Sequence, residues 1–142
     1  MSGLVGKWVL VRRENYEEYV FSVMGIKTRQ KSKKIKKGNI KQFIEQDGIK
    51  FTINDQIKAP IGTIIEIKNE YIADGMTQTE EKRPPDISRK CITSFKDDVL
   101  VIKSNDGKHD LMTQRFIENG MLVQINTNLT KNVSTRQYFE KL

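Results

Sequence analysis

The stretch HDLMTQRFIENGMLVQINTN, residues 109–128, contains the pattern that decides the fold. Two runs of strand-forming residues flank Asn119-Gly120, a dipeptide that favours the tight turn of a β-hairpin. Successive side chains of a strand lie on opposite faces. In the first run, one face carries Met112, Gln114 and Phe116, and the other carries Leu111, Thr113, Arg115 and Ile117. Because polar groups occupy both faces, the run fits a barrel with a partly hydrated interior better than a solid core.

The same pattern recurs along most of the chain and predicts a mainly β protein. The predicted strands lie at residues 6–13, 39–46, 49–55, 62–68, 71–79, 87–95, 98–104, 109–118, 121–128 and 132–140. Asp47-Gly48 and Asp106-Gly107 are two further hairpin signals. Pro84-Pro85 cannot donate ladder hydrogen bonds, so the segment 75–86 is predicted to be a long loop. Ten short strands joined by tight turns predict an antiparallel, up-and-down β-barrel.

The segment between the first two predicted strands has helical character. Asn15 and Glu18 have the spacing of a capping box, and Gly25 is a natural helix stop. Apolar residues between them recur at spacings of three and four, which predicts a short amphipathic helix: Tyr16, Tyr19, Val20, Val23 and Met24. A second, lysine-rich helix is predicted to follow. The two helices are predicted to cover approximately residues 15–37.

The net charge of +7 comes from one segment of the chain. Residues 27–37 contain seven basic residues and no acidic one: Lys27, Arg29, Lys31, Lys33, Lys34, Lys36 and Lys37. Without them the chain is formally neutral, so general nucleic-acid binding is not expected. Three interpretations of this basic segment remain open, namely transient docking to an anionic membrane, a nuclear-import signal, or a solvated surface.

Length and composition exclude several classes of protein. The 142 residues suit one domain, residues 1–142. The apolar runs are shorter than the ~18 residues that span a bilayer, and the start lacks a secretory signal. We therefore expect a cytoplasmic protein, with an additional nuclear location as an alternative. The single cysteine, Cys91, and the single histidine, His109, form no catalytic pairing or metal-ligand cluster, so neither an enzyme nor a metal or cofactor is expected.

Several segments, taken in order, resemble one protein family. GKWVLVRRENYEEY at 6–19 is similar to the opening of the intracellular lipid-binding proteins, the calycin-type family of cytosolic fatty-acid- and retinoid-binding proteins. Shorter likenesses are TR at 28–29, NEY at 69–71 and NDGK at 105–108. STRQYFEKL at 134–142 is similar to the family's terminal Thr-Arg-x-Tyr motif. The resemblance implies a monomeric ten-stranded barrel with a helix-turn-helix lid, which binds and transports a long-chain fatty acid or a similar hydrophobic carboxylate in its cavity.

The resemblance also implies the residues that bind the head group. In the family, an arginine and a tyrosine of the last strand point into the cavity and hold the carboxylate, and they match Arg136 and Tyr138. The strand pattern alone leaves an alternative, in which residues 133, 135 and 139 face inward and the other two side chains are exposed. A second cavity arginine of many fatty-acid binders aligns with Gln114, and retinol-binding members carry glutamine at that position. The amide of Gln114 is predicted to bind the carboxylate together with Arg136 and Tyr138.

Further site residues follow from the same resemblance. Additional cavity residues are predicted at Arg115, Met112 and Phe116. The portal and lid are predicted to include Tyr16, Tyr19, Val23 and Ile57. A carrier of retinol or retinoic acid is the alternative within the family. The alternative from another class is a basic nucleic-acid-binding barrel, whose aromatic residues would stack on bases.

Overall fold

The computed structural model describes residues 3–25, 39–59, 61–83 and 87–142. It confirms the mainly β architecture, with ten antiparallel strands and one short helix among these residues. The elements in chain order are β1 (Gly6–Glu14), α1 (Tyr16–Met24), β2 (Ile40–Asp47), β3 (Lys50–Lys58), β4 (Ile64–Ile72), β5 (Asp74–Arg83), β6 (Ile87–Lys96), β7 (Val99–Asn105), β8 (Asp110–Glu118), β9 (Met121–Asn128) and β10 (Val133–Lys141).

All the strands belong to one sheet, in the order β4-β3-β2-β1-β10-β9-β8-β7-β6-β5. Neighbouring strands are consecutive in the chain, except where β1 pairs with β10. The tight turns follow their sequence signals, since Asn119 and Gly120 both have positive φ, at 52° and 76°. The sheet therefore curls into an up-and-down barrel, as the hairpin pattern predicts.

The barrel is nearly closed, because β4 and β5 end the strand order with no backbone ladder between them in the described ranges. Side chains cross the gap instead. Asn69 Nδ2 donates to the carbonyl oxygen of Lys82 at 3.0 Å, and the Lys82 amide donates to Asn69 Oδ1 at 2.8 Å. The Tyr71 hydroxyl donates to Glu81 across the same gap. These contacts replace the missing ladder with a side-chain clasp.

The apolar core lies inside the barrel. Its buried members are Leu4, Trp8, Leu10, Ile44, Phe51, Ile53, Tyr71, Cys91, Leu100, Ile102, Leu122 and Phe139. Trp8 is 2% exposed, and its indole N–H donates to the carbonyl of Leu4 at 2.9 Å. Burial of each large apolar side chain stabilises the fold by roughly 1.5–3 kcal/mol.

The helix begins where it was predicted, but not with a capping box. Asn15 adopts a left-handed conformation with φ 57° and makes no side-chain cap. The side-chain nitrogen of Asn15, Nδ2, instead donates to the carbonyl of Ser134 at 3.0 Å. This hydrogen bond connects the start of α1 to β10. Gly25 ends the helix as predicted. Among the described residues, no helix is long and apolar enough to cross a membrane.

Two further predictions concern the loop at 75–86 and the second helix of the lid. The predicted long loop at 75–86 is wrong over most of its length, because β5 continues to Arg83. Its alternating side chains allow Glu81 to face inward while its neighbours are exposed. The second helix of the lid and the basic segment 27–37 lie outside the described residues.

Candidate functional site

A row of four polar side chains crosses the inner face of the barrel, and we call it the inner polar row. Arg13 of β1 pairs with Gln137 of β10, Gln137 with Gln124 of β9, and Gln124 with Arg115 of β8. Directly paired residues of adjacent strands share one face of a sheet. The row therefore consists of two amides between two guanidinium groups.

Gln42 of β2 connects the row to the opposite wall. Arg115 Nε donates to Gln42 Oε1 at 2.9 Å. The Gln42 amide nitrogen donates to Gln124 Oε1 at 3.0 Å and to Asp55 Oδ1 at 2.8 Å. Because both oxygen and nitrogen of Gln42 are engaged, its amide orientation is fixed by its partners.

Arg115 is a buried cation with an unused donor. Arg115 is only 3% exposed. Burial lowers the pKa of Arg115, and the negative charges of Asp55 and Glu81 oppose that fall. Its Nη1 atom is buried and has no hydrogen-bond partner in the part of the chain that the structure describes. Such a group needs an acceptor, because a buried donor without one is costly.

A second charged cluster lies beside the gap between β4 and β5. Arg89 Nη2 is 2.6 Å from Glu81 Oε1, and the Tyr71 hydroxyl donates to the same carboxylate. Burial raises the pKa of Glu81, but Arg83 and Arg89 outweigh it and hold the pKa below its usual value. Burial likewise lowers the pKa of Arg83, while Glu81 and Asp55 raise it above the usual value. The cluster is thus internally paired.

The interior carries an excess of positive charge at its polar end. Four arginines lie there among the described residues: Arg13, Arg83, Arg89 and Arg115. Two carboxylates, those of Asp55 and Glu81, oppose them. Buried charges require compensation by opposite charge and hydrogen bonds. The imbalance favours an anionic guest over a neutral or cationic one.

A cavity of about 140 Å³ lies next to this charged region. Its lining combines polar and apolar residues: Arg13, Tyr16, Ile40, Gln42, Asp55, Ile57, Arg83, Gln124, Asn126, Gln137 and Phe139. Arg115 is not among the lining residues, but it is hydrogen-bonded to Gln42, which is. Pockets for drug-sized ligands usually measure roughly 300–1,000 Å³, so a larger guest would have to displace side chains here.

Neither a protein-family model nor a curated protein matches the sequence. Solved structures match the fold. A Schistosoma mansoni fatty acid binding protein in complex with arachidonic acid has a TM-score of 0.80 and 19% identity, covering 100% of this chain and 98% of that chain. Lipid binding protein 8 of Caenorhabditis elegans has a TM-score of 0.78 and 21% identity, covering 99% and 96%. Human cRBP IV has a TM-score of 0.74 and 19% identity, covering 98% of both.

This chain has the fold of the intracellular lipid-binding proteins. The fold predicted from the sequence resemblance is therefore confirmed. Identities of 19–21% carry the fold but not the ligand, because function depends on the residues placed on a fold. The ligand has to be inferred from the side chains inside this barrel.

Within the lipid-binding-protein fold, the last strand points its predicted ligands outward. Thr135, Gln137 and Phe139 of β10 are buried, with 1%, 6% and 2% exposure, and two of them line the cavity. Arg136 and Tyr138 alternate with them and lie on the outer face, where the Arg12 guanidinium covers Tyr138 and leaves it 9% exposed. This placement corrects the predicted direction of both side chains. It agrees with the direction in the alternative that the strand pattern left open, but Tyr138 is buried and not exposed.

Both outward side chains have partners on the barrel surface. The Arg136 side chain is 40% exposed, with Nη1 3.7 Å from a Glu118 carboxylate oxygen. The Tyr138 hydroxyl donates to Glu14 Oε1 at 2.6 Å, and the Arg12 guanidinium covers the tyrosine ring at 4.0 Å from its centroid. The pair is therefore part of a surface network of charges and rings.

The same parity separates the residues predicted on β8. Gln114 pairs with Ile125, which also pairs with Arg136, so Gln114, Met112 and Phe116 share the outer face. The Phe116 ring lies 5.9 Å from the Arg136 guanidinium. Their predicted cavity positions are corrected by this placement, whereas Arg115 faces inward.

The predicted portal residues divide in a similar way. Tyr16 and Ile57 line the cavity, and Tyr19 and Val23 do not. Burial raises the pKa of Tyr19, and the positive charge of the nearby Arg89 opposes that rise. The sequence interpretation missed several polar residues of the interior: Arg13, Gln42, Asp55, Glu81, Arg83 and Gln124. The inward parity of Arg115 would have identified its row partners, but the cross-barrel partners have no local sequence signal.

The described residues include no group of three or more His, Cys, Asp or Glu side chains that could hold a metal ion. Cys91 is 1% exposed, and burial raises the pKa of its thiol. His109 Nδ1 lies 3.2 Å from a carboxylate oxygen of Asp106, three residues away in a turn. Cys91 therefore packs in the apolar core, and His109 stabilises a turn.

Proposed function

We propose that this protein binds and carries a long-chain fatty acid or a similar hydrophobic carboxylate inside its barrel. The observation that supports this proposal most is the buried Arg115, whose Nη1 has no acceptor in the described ranges. A carboxylate provides two oxygens and one negative charge, which match the unused donor and the excess of guanidinium groups. The amides of Gln42 and Gln124 would supply further hydrogen bonds to the bound head group.

The apolar part of the ligand would occupy the mixed cavity. Ile40, Ile57 and Phe139 supply its apolar lining. Each CH₂ group transferred from water contributes about 0.8 kcal/mol. A long tail exceeds the present cavity, so binding would shift side chains of the lid side, where Tyr16 lies. The likeness to a fatty acid binding protein in complex with arachidonic acid supports this ligand class.

A retinoid is the alternative ligand of the same type. The likeness to human cRBP IV and the three interior glutamines, Gln42, Gln124 and Gln137, favour it. A neutral alcohol would leave the charge of Arg115 without compensation. We therefore favour an acid over an alcohol, and retinoic acid over retinol. Binding rather than catalysis is proposed, because neither Cys91 nor His109 lines the cavity.

The test compares two ligands of equal chain length on delipidated protein. Hexadecanoic acid is expected to bind at least tenfold more tightly than hexadecanol, and Arg115→Met should remove most of that difference. Arg115→Lys, which keeps the charge but loses the planar fork, should give an intermediate value. Arg136→Met is the matched control on the outer face and should bind like the wild type. Equal affinity for acid and alcohol, or no binding of either, would contradict the proposal.

A further inference from the structure

We propose that the barrel selects ligands with two anionic groups, such as a dicarboxylic amphiphile, with one group bound at Arg115 and the other at Arg13. The inference rests on the proposed function and narrows its ligand class. The inner polar row ends in these two arginines, and each has an unused, buried donor. Nη1 of Arg115 and Nε of Arg13 both have no hydrogen-bond partner within the ranges that the structure describes.

Arg13 differs from the other interior arginines in its partners. Arg89 forms an ion pair with Glu81, and Glu81 and Asp55 raise the pKa of Arg83. Arg13 has no such carboxylate among the described residues. Burial lowers its pKa, and Tyr16 is its one opposing neighbour.

The Arg13 guanidinium is nevertheless held in place beside the cavity. Its central carbon lies 3.7 Å from the centroid of the Tyr16 ring, a stacking distance for a cation on an aromatic face. Arg13 and Tyr16 both line the cavity. A guanidinium fixed in this way is pre-organised for an anion, because little side-chain entropy remains to be lost on binding.

The row also sets the spacing of the two sites. Arg13 and Arg115 are separated by the two strands of Gln137 and Gln124. Three strand spacings amount to about 14 Å along the wall. A monocarboxylate can satisfy one end of this row, whereas an α,ω-dicarboxylate of moderate length can satisfy both.

The decisive comparison uses three ligands with the wild-type, full-length chain: dodecanedioic acid, its monomethyl ester and dodecanoic acid. Titration calorimetry or displacement of a fluorescent fatty acid gives each affinity. The diacid is expected to bind at least tenfold more tightly than the half-ester and the monoacid. Because the half-ester has nearly the same length as the diacid and one charge fewer, the difference reports the second anionic site without any mutation.

Variants then assign that site to Arg13. Arg13→Met should lower the affinity for the diacid much more than the affinity for the monoacid, so that the tenfold preference for the diacid disappears. Arg12→Met is the matched control, because the Arg12 side chain is 61% exposed on the outer face, next in sequence to Arg13. This variant should keep the preference for the diacid. Wild-type affinities that are equal for diacid and half-ester would overturn the inference while monoacid binding upholds the proposed function. Binding of none of the three ligands would overturn both.

Discussion

Arg115 and Gln42 join opposite walls of the barrel, with Nε of the arginine 2.9 Å from Oε1 of the glutamine. Gln42 also reaches Gln124 and Asp55, so one side chain connects three others. The low local dielectric of the interior makes each hydrogen bond of such a network strong and each lost partner costly. Gln42 therefore links Arg115 to the lining of the cavity, to which Gln42 itself belongs.

Replacement of Gln42 by leucine is expected to destabilise the protein. Gln42→Leu removes the acceptor of Arg115 Nε and the donor to Gln124 and Asp55. Since each buried polar group left unsatisfied costs ~1–3 kcal/mol, the free energy of unfolding should fall by roughly 3 kcal/mol in a urea titration. Gln56→Leu is the control, because Gln56 of β3 donates its side-chain hydrogen bond at the exposed surface, to Glu66 of β4. A loss equal to that of the control would show that the network carries no stability.

The hairpins of this fold could be predicted because their signals are local. Asn119-Gly120 adopts the positive φ angles that its residue types favour, and Gly25 ends the helix. The direction of the last strand could not be predicted in this way. A displacement of one residue reverses every side chain of a strand, and a motif such as Thr-Arg-x-Tyr fixes spacing but not parity. The resemblance implied that Arg136 faces the cavity, but in the structure its neighbour Gln137 does so.

An irregularity in β1 hides the second arginine of the site. Leu10 pairs with Phe139, but Arg12 pairs with Tyr138, so the register shifts between them. Simple alternation from Leu10 places Arg12 inside, whereas the shift turns Arg13 inward instead. A bulge depends on its partner strand, and for that reason the sequence of β1 alone does not reveal it.

The clasp across the gap between β4 and β5 should control local opening. Asn69→Val removes the acceptor of the Lys82 amide and the donor to its carbonyl. Hydrogen exchange of the Lys82 amide, followed by mass spectrometry of β5 peptides, should become at least tenfold faster, because no backbone ladder replaces the lost bond. Asn54→Val is the control on β3, where the amide contacts an exposed Glu66 carboxylate. Unchanged exchange at Lys82 would mean that other contacts hold the gap closed.

The buried Glu81 should make stability depend on pH. Arg83 and Arg89 hold the pKa of Glu81 below its usual value despite its burial. A carboxylate with a depressed folded-state pKa stabilises the fold above its unfolded pKa of about 4.3, and that contribution is lost as the pH falls through the folded pKa. Glu81→Gln should therefore lower the free energy of unfolding by roughly 3 kcal/mol at pH 7. The difference from the wild type should shrink steadily below pH 4.

Urea titrations at several pH values between 7 and 2 measure this dependence. Glu45→Gln is the matched control, because Glu45 lies on the exposed face of β2. Its difference from the wild type should stay small throughout. If the Glu81→Gln difference were instead constant down to pH 2, the cost would come from lost packing and not from the charge. The charge of Glu81 would then contribute nothing to the free energy of unfolding.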